Sequence, residues 1–115
     1  MHEFSLAEEV IKLARQEAGK NRARTVNEIT IEVGNMSGIE PEAFESAIGI
    51  LSEGSILENA HINILRISGK GKCTGCGREF ELKGRIDTCP VCHSFPSEIT
   101  GGNEFRVVSL VIEEE

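Results

Sequence analysis

Four closely spaced cysteines constrain this chain more than any other feature. Cys73 and Cys76 form one Cys-x2-Cys pair, Cys89 and Cys92 a second, with twelve residues between the pairs. Two residues between thiols let a tight turn aim both sulfurs at one point, and two such turns supply the four ligands of a tetrahedral ion. Gly75 and Gly77 relax the first turn, and Pro90 stiffens the second. A disulfide reading belongs to secreted chains. Here the sequence opens Met1-His2-Glu3-Phe4, acidic and amphipathic rather than basic and then apolar. That is no secretion signal, so the expected compartment is the cytoplasm, where thiols stay reduced.

The segment from Gly69 to Gly101 holds every cysteine and too few apolar residues to bury a core of its own. A module of roughly 30 residues needs a staple to offset its ordering entropy. A structural zinc contributes an apparent ~10–16 kcal/mol at neutral pH, large against the ~5–15 kcal/mol that a whole domain nets. Four thiolates leave no open position for a substrate, so the ion is expected to be structural. Iron in a rubredoxin-like site is the alternative. Rubredoxins usually pack aromatic rings around their iron, and only Phe80 and Phe95 are near in sequence, so zinc is expected; a red protein would reverse that. His93 directly follows the last cysteine, and its role as bystander or conditional ligand stays open.

The rest of the chain reads as one small domain. The chain has 115 residues, 39% hydrophobic, with a formal net charge of −7. The acid excess argues against contact with nucleic-acid phosphates or an anionic membrane, and no apolar run approaches the ~20 residues of a spanning helix. Residues 1–68 carry −5, 69–101 carry +1 and 102–115 carry −3, so the cysteine segment is no basic clamp.

Ser5 to about Ala18 has helical periodicity in Leu6, Val10, Leu13, Ala14 and Ala18, with Ser5 and Glu8 as a capping box and Gly19 as the stop. Val26–Val33 alternates as a half-buried strand. After a turn from Gly34 to Glu40, Pro41 opens a second helix with Phe44, Ile48 and Leu51 on its apolar stripe. Ile62–Ile67 and Phe105–Ile112 are further strands. The expected class is α/β (α+β): a small three-stranded sheet with two helices, formed by residues 1–68 and 102–115, with a zinc ribbon inserted at 69–101.

The amino terminus suggests a second metal site. The amine of Met1, the amide nitrogens of His2 and Glu3, and the His2 imidazole can close fused chelate rings in one plane. Square-planar nitrogen coordination suits Ni(II) or Cu(II) and not zinc. Any chain beginning Met-His has these atoms; the helix starting at Ser5 anchors them close to the body. No nucleophile–base set is visible around Ser5, Ser37 and the three histidines, and no Gly-x4-Gly-Lys-Ser/Thr phosphate loop occurs, so no enzyme is expected. His61 and the run from Lys20 to Arg24 read as ordinary surface.

The whole chain resembles the HypA/HybF family, the nickel metallochaperones of [NiFe]-hydrogenase maturation. The resemblance runs from Met1-His2-Glu3-Phe4-Ser5-Leu6 through Gly34-Asn35-Met36-Ser37-Gly38-Ile39-Glu40, Phe44 and the two cysteine pairs, to Gly102-Asn103-Glu104-Phe105-Arg106-Val107. It implies Ni(II) held near the amino terminus, with His2 as the indispensable side chain, Met1 beside it, and Glu3 shaping the site or touching a partner. It implies zinc on Cys73, Cys76, Cys89 and Cys92. It implies a HypB-type GTPase as nickel donor and the hydrogenase large subunit as recipient, with urease also served in some organisms. Many members place Gly after the last cysteine, where this chain has His93. The expected reading is a cytoplasmic nickel carrier, monomer or weak homodimer. The alternatives are a zinc-ribbon interaction adaptor without a nickel role, or a rubredoxin-like electron carrier.

Overall fold

A computed structural model describes residues 2–83 and 88–114. Helix α1 spans Glu3–Lys20, beginning ahead of the start that the Ser5 capping pattern predicts. The reason is local: the His2 carbonyl accepts the Leu6 amide at 2.9 Å, which makes His2 the N-cap, without a side-chain capping bond. Ser5 therefore lies inside the first turn. Gly19 does not end the helix; the chain turns at Asn21 and Arg22, the latter at φ 55°. Ala7, Val10, Ala14 and Ala18 form the buried stripe.

Strand β1, Ala23–Gly34, is the centre of the first sheet, parallel to β2, His61–Ile67, and antiparallel to β6, Phe105–Glu114. A parallel pair needs a crossover, and α2, Pro41–Leu51, supplies it with Pro41 at its start. Val26, Ile29, Ile31 and Val33 alternate inward and pack with Phe44, Ala47 and Ile48 of α2 and the α1 stripe. Phe44 meets Phe105 edge-on, with ring centroids 5.2 Å apart. The alternate residues of β1 carry the polar ties: Asn63 Nδ2 donates to Glu28 Oε1 at 2.6 Å, and Arg106 Nε to Glu32 Oε1 at 2.6 Å. Leu57, in the connection after α2, is fully buried, a core residue that the helical pattern did not reveal.

The second sheet is inserted between β2 and β6. Its centre is β3, Gly69–Cys73, flanked by β4, Glu79–Leu82, and β5, Pro96–Gly101, both antiparallel. A second buried cluster joins Cys73, Phe80, Leu82 and Cys89 to Met36. The molecule measures 57 × 24 × 17 Å, with only Ser68 between β2 and β3.

Where the sheets meet, backbones cross at touching distance. A Cβ on Gly34 would overlap the Gly102 carbonyl, and Gly102 itself sits at φ +94°. The Gly34 amide donates to the Glu104 carbonyl at 2.6 Å, and the Met36 amide to the Gly102 carbonyl at 2.8 Å. The amino terminus lies at this same end of the first sheet, because α1 and β1 run in opposite directions and α2 starts just beyond β1. The Glu40 amide accordingly donates to Glu3 Oε2 at 3.3 Å.

Candidate metal centres

The second sheet delivers its four thiols to one point. Cys73 ends β3; Cys76 follows in the turn toward β4; Cys89 and Cys92 lie in the turn before β5. All four sulfurs lie within 4.8 Å of one another. Cys76 is 3.9 Å from Cys89 and 4.0 Å from Cys92, while Cys73 and Cys92 approach to 3.0 Å. A tetrahedron with Zn–S distances of ≈ 2.3 Å has edges of about 3.8 Å, so the donor set fits a zinc-sized ion closely on two edges. Cys73 and Cys89 are buried, and Cys76 and Cys92 are exposed.

The two cysteine turns are built alike. The Cys73 amide donates to Arg78 O and Gly77 N returns to Cys73 O. In the second turn Cys89 N donates to Ser94 O and His93 N returns to Cys89 O. Each turn thus has the same pair of bonds at the same spacing, and each places a left-handed residue at the same position: Gly77 at φ 71° and His93 at φ 62°. The first turn also aims the Gly75 amide at Cys73 Sγ, 3.3 Å away. A Cβ at Gly75 would stand 3.3 Å from Cys92 Sγ and 3.1 Å from Ser94 Oγ, so glycine keeps the space between the turns.

The hydrogen bond between Cys73 and Cys92 polarises the pair. It is the main cause that pulls the Cys92 thiol down to about 6, with Ser94 adding to it, and that pushes Cys73 up to about 11. Hydrogen bonds from the Cys92 and Val91 amides also lower Cys89. A divalent ion bound here would hold both sulfurs deprotonated.

His93 is exposed and lies outside the group of side chains that can share one ion, which among the described residues is the four cysteines. Its left-handed backbone costs a non-glycine residue of order 1 kcal/mol. The expected result for His93→Gly is a stability gain of about 1 kcal/mol with unchanged metal content. Loss of metal in that variant, read by metal analysis, would make His93 a ligand.

The amino-terminal set is separate. His2 is exposed at the start of α1, with Glu3 as the first helical residue. The first intrahelical bond is made by Leu6, so the amides of His2 and Glu3 have no carbonyl acceptor within the helix. Met1, the third residue expected here, lies outside the described residues. Asn35 and Met36, which carry part of the family resemblance but read as a plain turn, touch the thiol module, and Ser94, which nothing in the sequence marked, lies against its first cysteine turn. Of these only Ser94 is close to the motif in sequence, two residues after Cys92.

Two helices on a three-stranded sheet, with a second small sheet carrying a four-thiol cluster, define a metal-handling α+β protein. The chain matches the family described as "Hydrogenase/urease nickel incorporation, metallochaperone, hypA" over residues 1–112. It is 36% identical to the "Hydrogenase maturation factor HypA" of Geobacter metallireducens over 113 residues, 98% of this chain and 100% of that one. It is 36% identical to the factor of the same name from Parabacteroides distasonis over 115 residues, all of both chains. Among solved structures it is similar to the "Ni metallochaperone HypA from Helicobacter pylori", with a TM-score of 0.67, 30% identity and full coverage of both chains. The chain belongs to the HypA family of metallochaperones for hydrogenase and urease nickel incorporation. It is a maturation factor rather than a catalyst, and none of its described helices is long and apolar enough to cross a membrane.

Proposed function

We propose that this chain carries Ni(II) on its amino terminus, through the Met1 amine, the amides of His2 and Glu3 and the His2 imidazole, while Cys73, Cys76, Cys89 and Cys92 hold a structural Zn(II). The observation that carries the reading is the position of His2 as an N-cap whose side chain caps nothing. A planar nitrogen site must strip protons from two amides. At the N-cap and first helical positions those amides bond no helical carbonyl, so α1 loses no hydrogen bond of its ladder when metal binds. Negative charge on those nitrogens also meets the positive end of the helix macrodipole.

Four sulfurs define a closed coordination sphere, which suits a staple, whereas an exposed helix start suits ligand exchange with a partner. The zinc module would present a docking surface and keep its shape. The chain has no phosphate loop, so nucleotide energy would come from a HypB-type GTPase. The hydrogenase large subunit would receive the metal, and urease is the second candidate recipient. The setting would be the cytoplasm.

A nickel titration followed by absorption tests this. The expected complex is yellow and diamagnetic, with one nickel per chain, and resists excess zinc. An added amino-terminal extension, which moves the amine away from His2, should abolish it and leave zinc content unchanged. Nickel found on the thiolates, or nowhere, would overturn the proposal.

A further inference from the structure

Among the described residues, the buried cluster of the second sheet includes one residue from outside it. Its buried cluster consists of Cys73, Phe80, Leu82 and Cys89, joined by Met36 from the loop that follows β1. Met36 is 2% exposed, although it lies 37 residues before Cys73 in a stretch that reads as a plain turn. Its neighbour Asn35 ties the same loop down on both sides: the Asn35 amide donates to Ile67 O at 2.9 Å, and Asn35 Nδ2 donates to Leu82 O at 3.0 Å. Gly69 leaves the room for this contact, since a Cβ there would stand 2.5 Å from Met36 Cγ and 2.6 Å from Asn35 Oδ1. Two of the four clustered thiols, the two buried ones, thus share a cluster with a side chain from the loop that leaves the other sheet.

We propose that Met36 is a positioning residue of the thiolate site: it closes the Gly69 and Leu82 end of the buried cluster that also holds Cys73 and Cys89, and the zinc affinity of this chain depends on it. A module this poor in apolar residues folds with its metal, so packing lost anywhere in its small core is read out as weaker metal binding. The thioether is unbranched and fits an irregular gap between two sheets. It ligates nothing itself, because the four cysteines already fill a tetrahedral sphere. The inference rests on the thiolate assignment and is independent of where nickel binds.

The test is zinc affinity of the full-length chain, by competition with a chromophoric chelator, with helicity recorded alongside. Met36→Ala is expected to weaken zinc by about ten-fold or more with one zinc per chain and helicity unchanged. Met36→Leu, which conserves volume, is expected to restore affinity to within about three-fold. Unchanged affinity in Met36→Ala overturns the proposal. So does loss of the helical signal in Met36→Ala, which would place the residue's role in the first sheet instead. Equal weakening by Leu and Ala would also count against it, since packing volume would then not be the cause.

Discussion

Replacing His2 with alanine is expected to abolish nickel binding while zinc content and helicity survive. The imidazole is the only side-chain nitrogen in the proposed square, and its chelate ring fixes the plane of the other donors. Removing it should weaken nickel by more than about 100-fold, since even changes behind the ligands of a metal site cost about 10–100-fold. The helix should not notice. The side chain makes no capping bond, and the His2 carbonyl that accepts Leu6 remains in the alanine variant. Isothermal titration with nickel, together with circular dichroism, separates the two effects. Nickel affinity of the natural chain should fall as pH is lowered, because imidazole and amides must lose protons to bind. An alanine variant that binds nickel as tightly as the natural chain would sink the amino-terminal assignment.

Stripping the ion proposed for the four thiols is expected to melt one sheet and spare the other. The cluster around Phe44, Ile29 and Ile48 draws its buried residues from α1, β1, α2 and the connection after α2, and none from β3, β4 or β5. Among the described residues the cluster around Cys73 and Cys89 is five residues, too little apolar area to hold a sheet alone. A strong chelator, or Cys89→Ser at a fully buried sulfur, should therefore erase hydrogen-exchange protection in β3–β5. Protection in α1 and at the centre of β1 should persist. The loss at stake is about 10 kcal/mol of metal-linked folding. Acid should do the same, since every thiol that regains a proton leaves the ion. The bond to Cys92 pushes the Cys73 thiol up to about 11, so metal binding there must work against a held proton. Retained protection in β3–β5 without metal would show that the staple is dispensable.

The sequence made some of this legible and hid the rest for identifiable reasons. The thiol cluster was plain because chelation fixes spacing, and α2 because Pro41 marks its start and Phe44 and Ile48 its buried face. β1 was plain because Ile29, Ile31 and Val33 alternate with polar residues. The start of α1 was misplaced because Ser5 and Glu8 mimic a capping box while the chain uses His2, whose side chain gives no such signal. β3 was invisible for a different reason: its inward residues are Gly69, Gly71 and Cys73, alternating with exposed Lys70 and Lys72. The period of two is present, but glycine carries no hydrophobicity to reveal it. Met36 was missed because a lone apolar residue in a turn has no period, and only the sheet packed over it explains its burial.

The order of strands has a cost in time as well as in energy. β1 pairs with β6 from Val33 opposite Phe105 to Ala23 opposite Glu114, so the middle strand waits for a partner that lies beyond the whole second sheet. Bringing distant segments together costs entropy that grows with the slack between them, and non-local pairings of this kind slow the search for the native state. A filled thiolate cluster gathers the intervening loop and shortens that slack. Acquiring one ion early would therefore hasten closure of the sheet whose helix start is proposed to carry the other.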